Sequence, residues 1–173
     1  MKTINNFITE KIRINENYNY HPNDWMDLKR LVKDLVKERG NDADLNDIDT
    51  SKITNMNGLF EESKFNGDIS KWNVSKVKSM KFMFRNSEFD GDISKWDVSN
   101  VTDMWSMFES SKFNQDISDW NVSKVRNMDY MFSDSAFNKD ISKWKITNVE
   151  DIYNSHAFDN CPLEKNPPKW YKD

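Results

Sequence analysis

His21, His156 and Cys161 are the only imidazoles and the only thiol in this 173-residue chain. A nucleophilic relay needs a base within hydrogen-bond reach of its nucleophile, and a zinc site needs a full set of nitrogen and sulfur ligands. Two histidines in unrelated end regions and one cysteine supply neither. The chain has only four glycines and no G-x-G-x-x-G or Walker-type run, so a phosphate-cradling loop is not supported. Carboxylates are plentiful, but they work as acid and base only in a pocket that shifts their pKa values, and without one they read as surface charges. The expectation is a protein that is not an enzyme and needs no cofactor.

One spacing does suggest metal chemistry. Asn66-x-Asp68, Asp90-x-Asp92, Asn114-x-Asp116 and Asn138-x-Asp140 repeat an oxygen pair of the kind that binds calcium. They lack the glycine-dense turns by which calcium-binding repeats expose backbone carbonyls, so no metal is expected. Ser63, Ser87, Ser111 and Ser135 recur with these aspartates. Short polar side chains at fixed turn positions cap backbone N–H groups, and stacking would turn such caps into ladders.

What would position these groups is a repeat. Trp72, Trp96, Trp120 and Trp144 stand 24 residues apart, each within a near-copy of V-x-x-M-x-x-M-F-x-x-S-x-F-N-x-D-I-S-x-W-x-V-S-x. Four full units, 53–76, 77–100, 101–124 and 125–148, follow a half unit at 44–52, and a decayed unit starts at Val149 and loses the frame near Ser155. A fixed period of this length marks units that bury their apolar faces only by stacking on neighbours. Within a unit, Ile69, Trp72 and Val74 have the spacing of a short strand, and Val77, Met80, Met83 and Phe84 that of a short helix. The predicted fold is therefore an α/β leucine-rich-repeat-like solenoid of about four to five coils, each a short parallel strand plus a short helix. The tryptophans would form a core ladder, with Phe65, Phe89, Phe113 and Phe137 in the return turn.

The chain divides into an N-terminal cap (1–52), the four repeats (53–148) and a degenerate repeat with C-terminal cap (149–173). In the first part, Trp25, Leu28, Leu31, Val32, Leu35 and Val36 have helical spacing over 24–39, between the start signal His21-Pro22-Asn23-Asp24 and Gly40. This helix reads as a lid on the first coil. Ile4, Phe7, Ile8, Ile12 and Ile14 fit a short helix or a strand beside it.

Net charge is −4, from 25 basic and 29 acidic residues, which counts against a general nucleic-acid binder. Mean hydropathy is −0.91, yet the apolar residues fall at fixed repeat positions, and that periodicity outweighs the disordered-looking average. No segment approaches a membrane span, the first twenty residues lack a signal-peptide pattern, and the single cysteine marks no oxidising compartment. Taken as the native start, this points to the cytoplasm.

The phrase F-N-x-D-I-S-x-W-x-V-S-x-V-x-x-M-x-x-M-F, preceded by Asp44-Leu45-Asn46-Asp47-Ile48-Asp49-Thr50-Ser51-Lys52, resembles the BspA-like leucine-rich-repeat family of bacterial proteins. The resemblance covers about residues 22 to 158. It implies a repeat rod of protein-interaction type, often a surface protein or adhesin, and it brings no catalytic residues. Taken as the native start and end, the chain is expected to depart from that picture, with no signal peptide, no lipobox cysteine near its start and no anchor.

In a rod of repeats, the positions that vary between units are where a partner can be read. On the strand face these are Lys71, Asn73, Lys95, Asp97, Asp119, Asn121, Lys143 and Lys145, a mixed-charge strip. On the helix face every unit after the first carries an aromatic that the frame does not require: Phe82, Trp105, Tyr130 and Tyr153. Such residues either anchor an interface or seal the groove between coils. The expected function is a non-enzymatic protein-protein interaction module binding another protein, of the cytosolic inhibitor or immunity type. The alternative is a surface-displayed adhesin-type repeat, and a sugar platform on Phe82, Trp105 and Tyr130 is a third reading.

Overall fold

The computed structural model of the chain describes residues 18–146 and 156–171. The readings made for 1–17, for Tyr153 and for the start of the decayed unit lie outside these residues. Among the described residues one α-helix forms, α1, spanning Trp25–Arg39. Asp24 caps it, its carboxylate accepting from Asp27 N–H at 2.9 Å, and Gly40 N–H closes it onto Val36 O. Its apolar stripe, Leu28, Leu31, Val32 and Leu35, is buried in the same core as the repeats. Trp25 Nε1–H also donates to Asn57 O of the first unit at 2.9 Å.

The repeats are not the strand-plus-helix units of a leucine-rich-repeat solenoid, and the α/β class expected from the apolar spacing is corrected here. Among the described residues the repeats contain no helix and no sheet. Parallel pairing is limited to isolated bridges, such as Asn55 with Ser79, Ser79 with Asp103 and Asp103 with Asn127. Each unit is a string of tight turns instead. The predicted strand bends at its centre, where Trp72, Trp96, Trp120 and Trp144 N–H each donate 3.1 Å back to the isoleucine three residues earlier. A second turn joins Val77 to Val74, Val101 to Val98 and Val125 to Val122.

Backbone handedness explains why the predicted helix fails. Gly58, Phe82, Ser106 and Tyr130 have φ of 57°, 57°, 52° and 57°, and Glu62, Asn86, Ser110 and Asp134 have φ of 53–55°. A left-handed residue every fourth position cannot continue a right-handed helix, and for a side chain other than glycine it costs roughly 1–2 kcal/mol. The alternation turns every second N–H out of the coil. Met56, Gly58, Phe60 and Glu62 N–H donate to Ser79, Lys81, Met83 and Arg85 O of the next coil at 2.8–3.0 Å, and the pattern repeats from Met80 and from Met104. Hydrogen bonds that a helix would close on itself are spent joining neighbours. On the opposite side the direction reverses, with Lys78 N–H to Thr54 O and Thr102 N–H to Lys78 O.

Stacking in register puts like on like. Phe60, Phe84, Phe108, Phe132 and Phe158 form one column of near-parallel rings 5.5–6.0 Å apart, and Phe65, Phe89, Phe113 and Phe137 a second at 6.2–6.3 Å. These are offset stacks, the arrangement that ring quadrupoles favour. The tryptophans are 4% exposed, Trp72 lies parallel to Trp96 and Trp120 to Trp144, and each indole N–H reaches a carbonyl of the coil below: Leu45, Ile69, Ile93 and Ile117. The last coil keeps these columns on a 26-residue step. Phe158 follows Phe132, and Trp170 stacks 6.1 Å on Trp144 while donating to Ile141 O. Pro162 stands where Ala136 N–H had joined Ser111 O, and a proline has no N–H with which to extend that ladder.

Candidate functional site

The repeated oxygen pairs are occupied by the backbone. Asn66, Asp90 and Asn114 side-chain oxygens accept from Asp90, Asn114 and Asn138 N–H of the next coil at 2.7–2.9 Å. Asp68, Asp92, Asp116 and Asp140 each cap a serine N–H two residues on, at 2.8–2.9 Å. Backbone bonds from Ser70, Ser94 and Ser118, and the side-chain bond with Ser142, hold these carboxyls below the usual aspartate range. Among the described residues no cluster of three or more His, Cys, Asp or Glu side chains is placed to hold a metal ion.

Phe82, Trp105 and Tyr130 lie on no helix, contrary to the sequence expectation, but on the left-handed turns just described. Among the described residues the exposed large apolar side chains are Met26, Trp105 and Tyr130, the last two at 36% and 38%. Phe82 is half-buried, its ring tilted against Trp105 with centroids 4.7 Å apart. Arg85 lies over Phe82 at 4.9 Å and Lys81 over Trp105 at 5.7 Å, so each ring carries a cation on its face. Those cations are fixed in turn, Arg85 by Glu61 at 2.5 Å and Lys81 by Asp103 at 2.9 Å. Tyr130 stacks on His156 at 4.9 Å, and His156 Nδ1 lies 2.7 Å from Asp159. Trp25 with Lys29 over its ring at 5.2 Å adds a further aromatic-cation pair beside the first coil.

The structure therefore brings Phe82 and Trp105 into contact and gives Tyr130 a histidine. In the sequence His156 reads as part of an end region unrelated to the repeats. It stands 26 residues after Tyr130 rather than 24, and a search tolerant of that step would have found it. Lys81, Arg85 and Glu61 carried no signal in the sequence, since their pairing runs between coils.

The second candidate strip, Lys71, Asn73, Lys95, Asp97, Asp119, Asn121, Lys143 and Lys145, is exposed throughout and flanks the buried tryptophans, but on turns rather than strands. Asn73, Asp97 and Asn121 accept from Ser75, Ser99 and Ser123 N–H. Part of the strip thus has a structural duty, whereas the ridge aromatics make no such caps.

Among the described residues no helix is long and apolar enough to cross a membrane. The family model described as Mycoplasma protein of unknown function, DUF285, matches residues 26–135 and 86–170, which together span 26–170. No curated protein and no solved structure matches the chain. With both matches running through the repeats, the chain belongs to this DUF285 family.

Proposed function

We propose that this protein is a non-enzymatic interaction module that binds another protein through the ridge of Phe82, Trp105 and Tyr130. The observation that carries the reading is where these aromatics stand. Phe82 and Tyr130 occupy backbone positions that cost a side chain roughly 1–2 kcal/mol, while the first unit places Gly58 there and the third Ser106. The stack does not require an aromatic at that step, yet three successive units supply one at or beside it. Rigid aromatics backed by paired cations give large contact area at low entropic cost, which is the composition of interface hot spots. A cytosolic inhibitor or immunity-type binder suits the acidic chain. The BspA-like kinship suggested by the repeat phrase favours a surface-displayed adhesin instead.

Affinity capture from a lysate of the source cells, comparing the natural chain with the Phe82→Ser/Trp105→Ser/Tyr130→Ser variant, tests the ridge. A protein retained by the first and released by a folded triple variant supports it. Equal retention by both moves the site to the Lys71–Lys145 strip. Digestion of the chain by protease added to intact cells would decide for the adhesin.

A further inference from the structure

Among the described residues, the first coil has one face that its neighbours do not complete. Between later coils, Phe60 and Glu62 N–H donate to Met83 and Arg85 O at 2.9 and 2.8 Å, and Phe84 and Asn86 N–H to Met107 and Glu109 O at 2.9 Å. One period earlier, the matching acceptors are Asn57, Leu59 and Glu61 O, which face α1 instead of a coil. Trp25 supplies an indole N–H to Asn57 O at 2.9 Å. Leu59 O and Glu61 O accept from no described residue. A cleft of about 440 Å3 opens at this place, walled by Lys29, Val32, Lys33 and Val36 of α1 and by Gly58–Ser63.

We propose that this cleft is a receptor for a single extended segment of a partner protein, held by its alternate backbone N–H groups on Leu59 O and Glu61 O. The molecule itself displays the complement: where two coils meet, the filler of this carbonyl row is a backbone offering every second N–H, and only at Asn57 O does a side chain, Trp25, stand in. An extended strand presents its N–H groups to one side with that same period, which is the basis of recognition by strand addition. The dimensions select one segment rather than a further coil. A coil from a second copy would have to displace α1, whose Leu28, Leu31, Val32 and Leu35 are buried. The volume falls in the range of roughly 300–1,000 Å3 typical of ligand clefts. Val32, Val36 and Leu59 give the segment an apolar floor, and Lys33 on the rim favours an acidic residue beside it. This inference stands apart from the aromatic ridge and does not rest on it.

The test pans a displayed library of short random peptides on the full chain, with the Lys33→Trp variant as counter-selection. Lys33 is exposed, so the indole fills the cleft from its rim, and thermal unfolding verifies that the variant is folded. A selected peptide is then N-methylated one residue at a time. Binding should weaken about tenfold at every second residue and little between, as loss of a hydrogen bond implies. It should weaken at least about tenfold with Lys33→Trp and remain unchanged with the ridge triple variant. Failure to enrich any peptide over the Lys33→Trp control, as would follow if the chain's own residues or a second copy filled the cleft, overturns the proposal. So does an N-methyl scan without alternation.

Discussion

The buried aromatic columns and the exposed aromatic ridge are built from the same residue types on the same coils and obey different rules. In the columns each ring lies near-parallel over its counterpart, and the residue does not change from unit to unit: Phe on Phe and Trp on Trp. On the ridge the sequence changes at every step, from Gly58 to Phe82 to Trp105 beside Ser106 to Tyr130. Stacking at a fixed step makes each column residue the template for the next, since any other shape leaves a void or a clash on two faces at once. The ridge has solvent on one side and lacks that constraint. Uniformity within the chain therefore marks packing, and variation marks freedom from it.

Replacing a column residue gives the largest expected effect. Trp96→Ala removes a ring stacked on Trp72 and a hydrogen bond to Ile69 O, and should cost about 3–5 kcal/mol, read from urea denaturation. A cost near zero would mean that the columns are not the core.

Acid should act next, through the aspartate caps that recur beside the tryptophan column. Asp68, Asp92, Asp116 and Asp140 have folded pKa values below their unfolded ones, so their stabilisation is complete above the unfolded aspartate pKa. It is lost as pH falls through the lowered folded values. Unfolding followed across that window should show an acid limb, flattened in a variant with all four changed to Asn, which caps without titrating. An unchanged limb would assign acid sensitivity elsewhere.

Smaller effects sharpen the contrast at the left-handed step. Gly58→Ala should cost about 1 kcal/mol, because the position has φ of 57° and the new methyl would sit 3.0 Å from the movable Glu61 carboxylate. Tyr130→Ser, which replaces an exposed ring with the residue that Ser106 already places at this step, should change stability by no more than about 0.5 kcal/mol. Were Tyr130→Ser as costly as Trp96→Ala in the same denaturation, the ridge would belong to the core and the binding assignment would fail.

Much of this was legible in the residues. The 24-residue step, the buried set at Met80, Met83, Phe84, Phe89, Ile93, Trp96 and Val98, and the capping role of Asp92 follow from spacing and side-chain type. The ridge was visible as aromatics outside the repeat frame. The α/β assignment failed because an inward-facing residue every third or fourth place is met equally by a helix and by a string of turns. What separates them is the sign of φ at Phe82 and Asn86, which no side chain there announces. His156 escaped for a different reason, since it stands two residues off the 24-residue frame.

By itself the sequence determined that like residues would lie over like, because one phrase recurring at a fixed interval can bury its apolar members only against copies of itself. Tertiary structure alone decided the path between those residues. The hydrogen bonds gained by alternate N–H groups reaching the next coil compensate for left-handed residues that an isolated unit would avoid, and that trade exists only once coils are stacked.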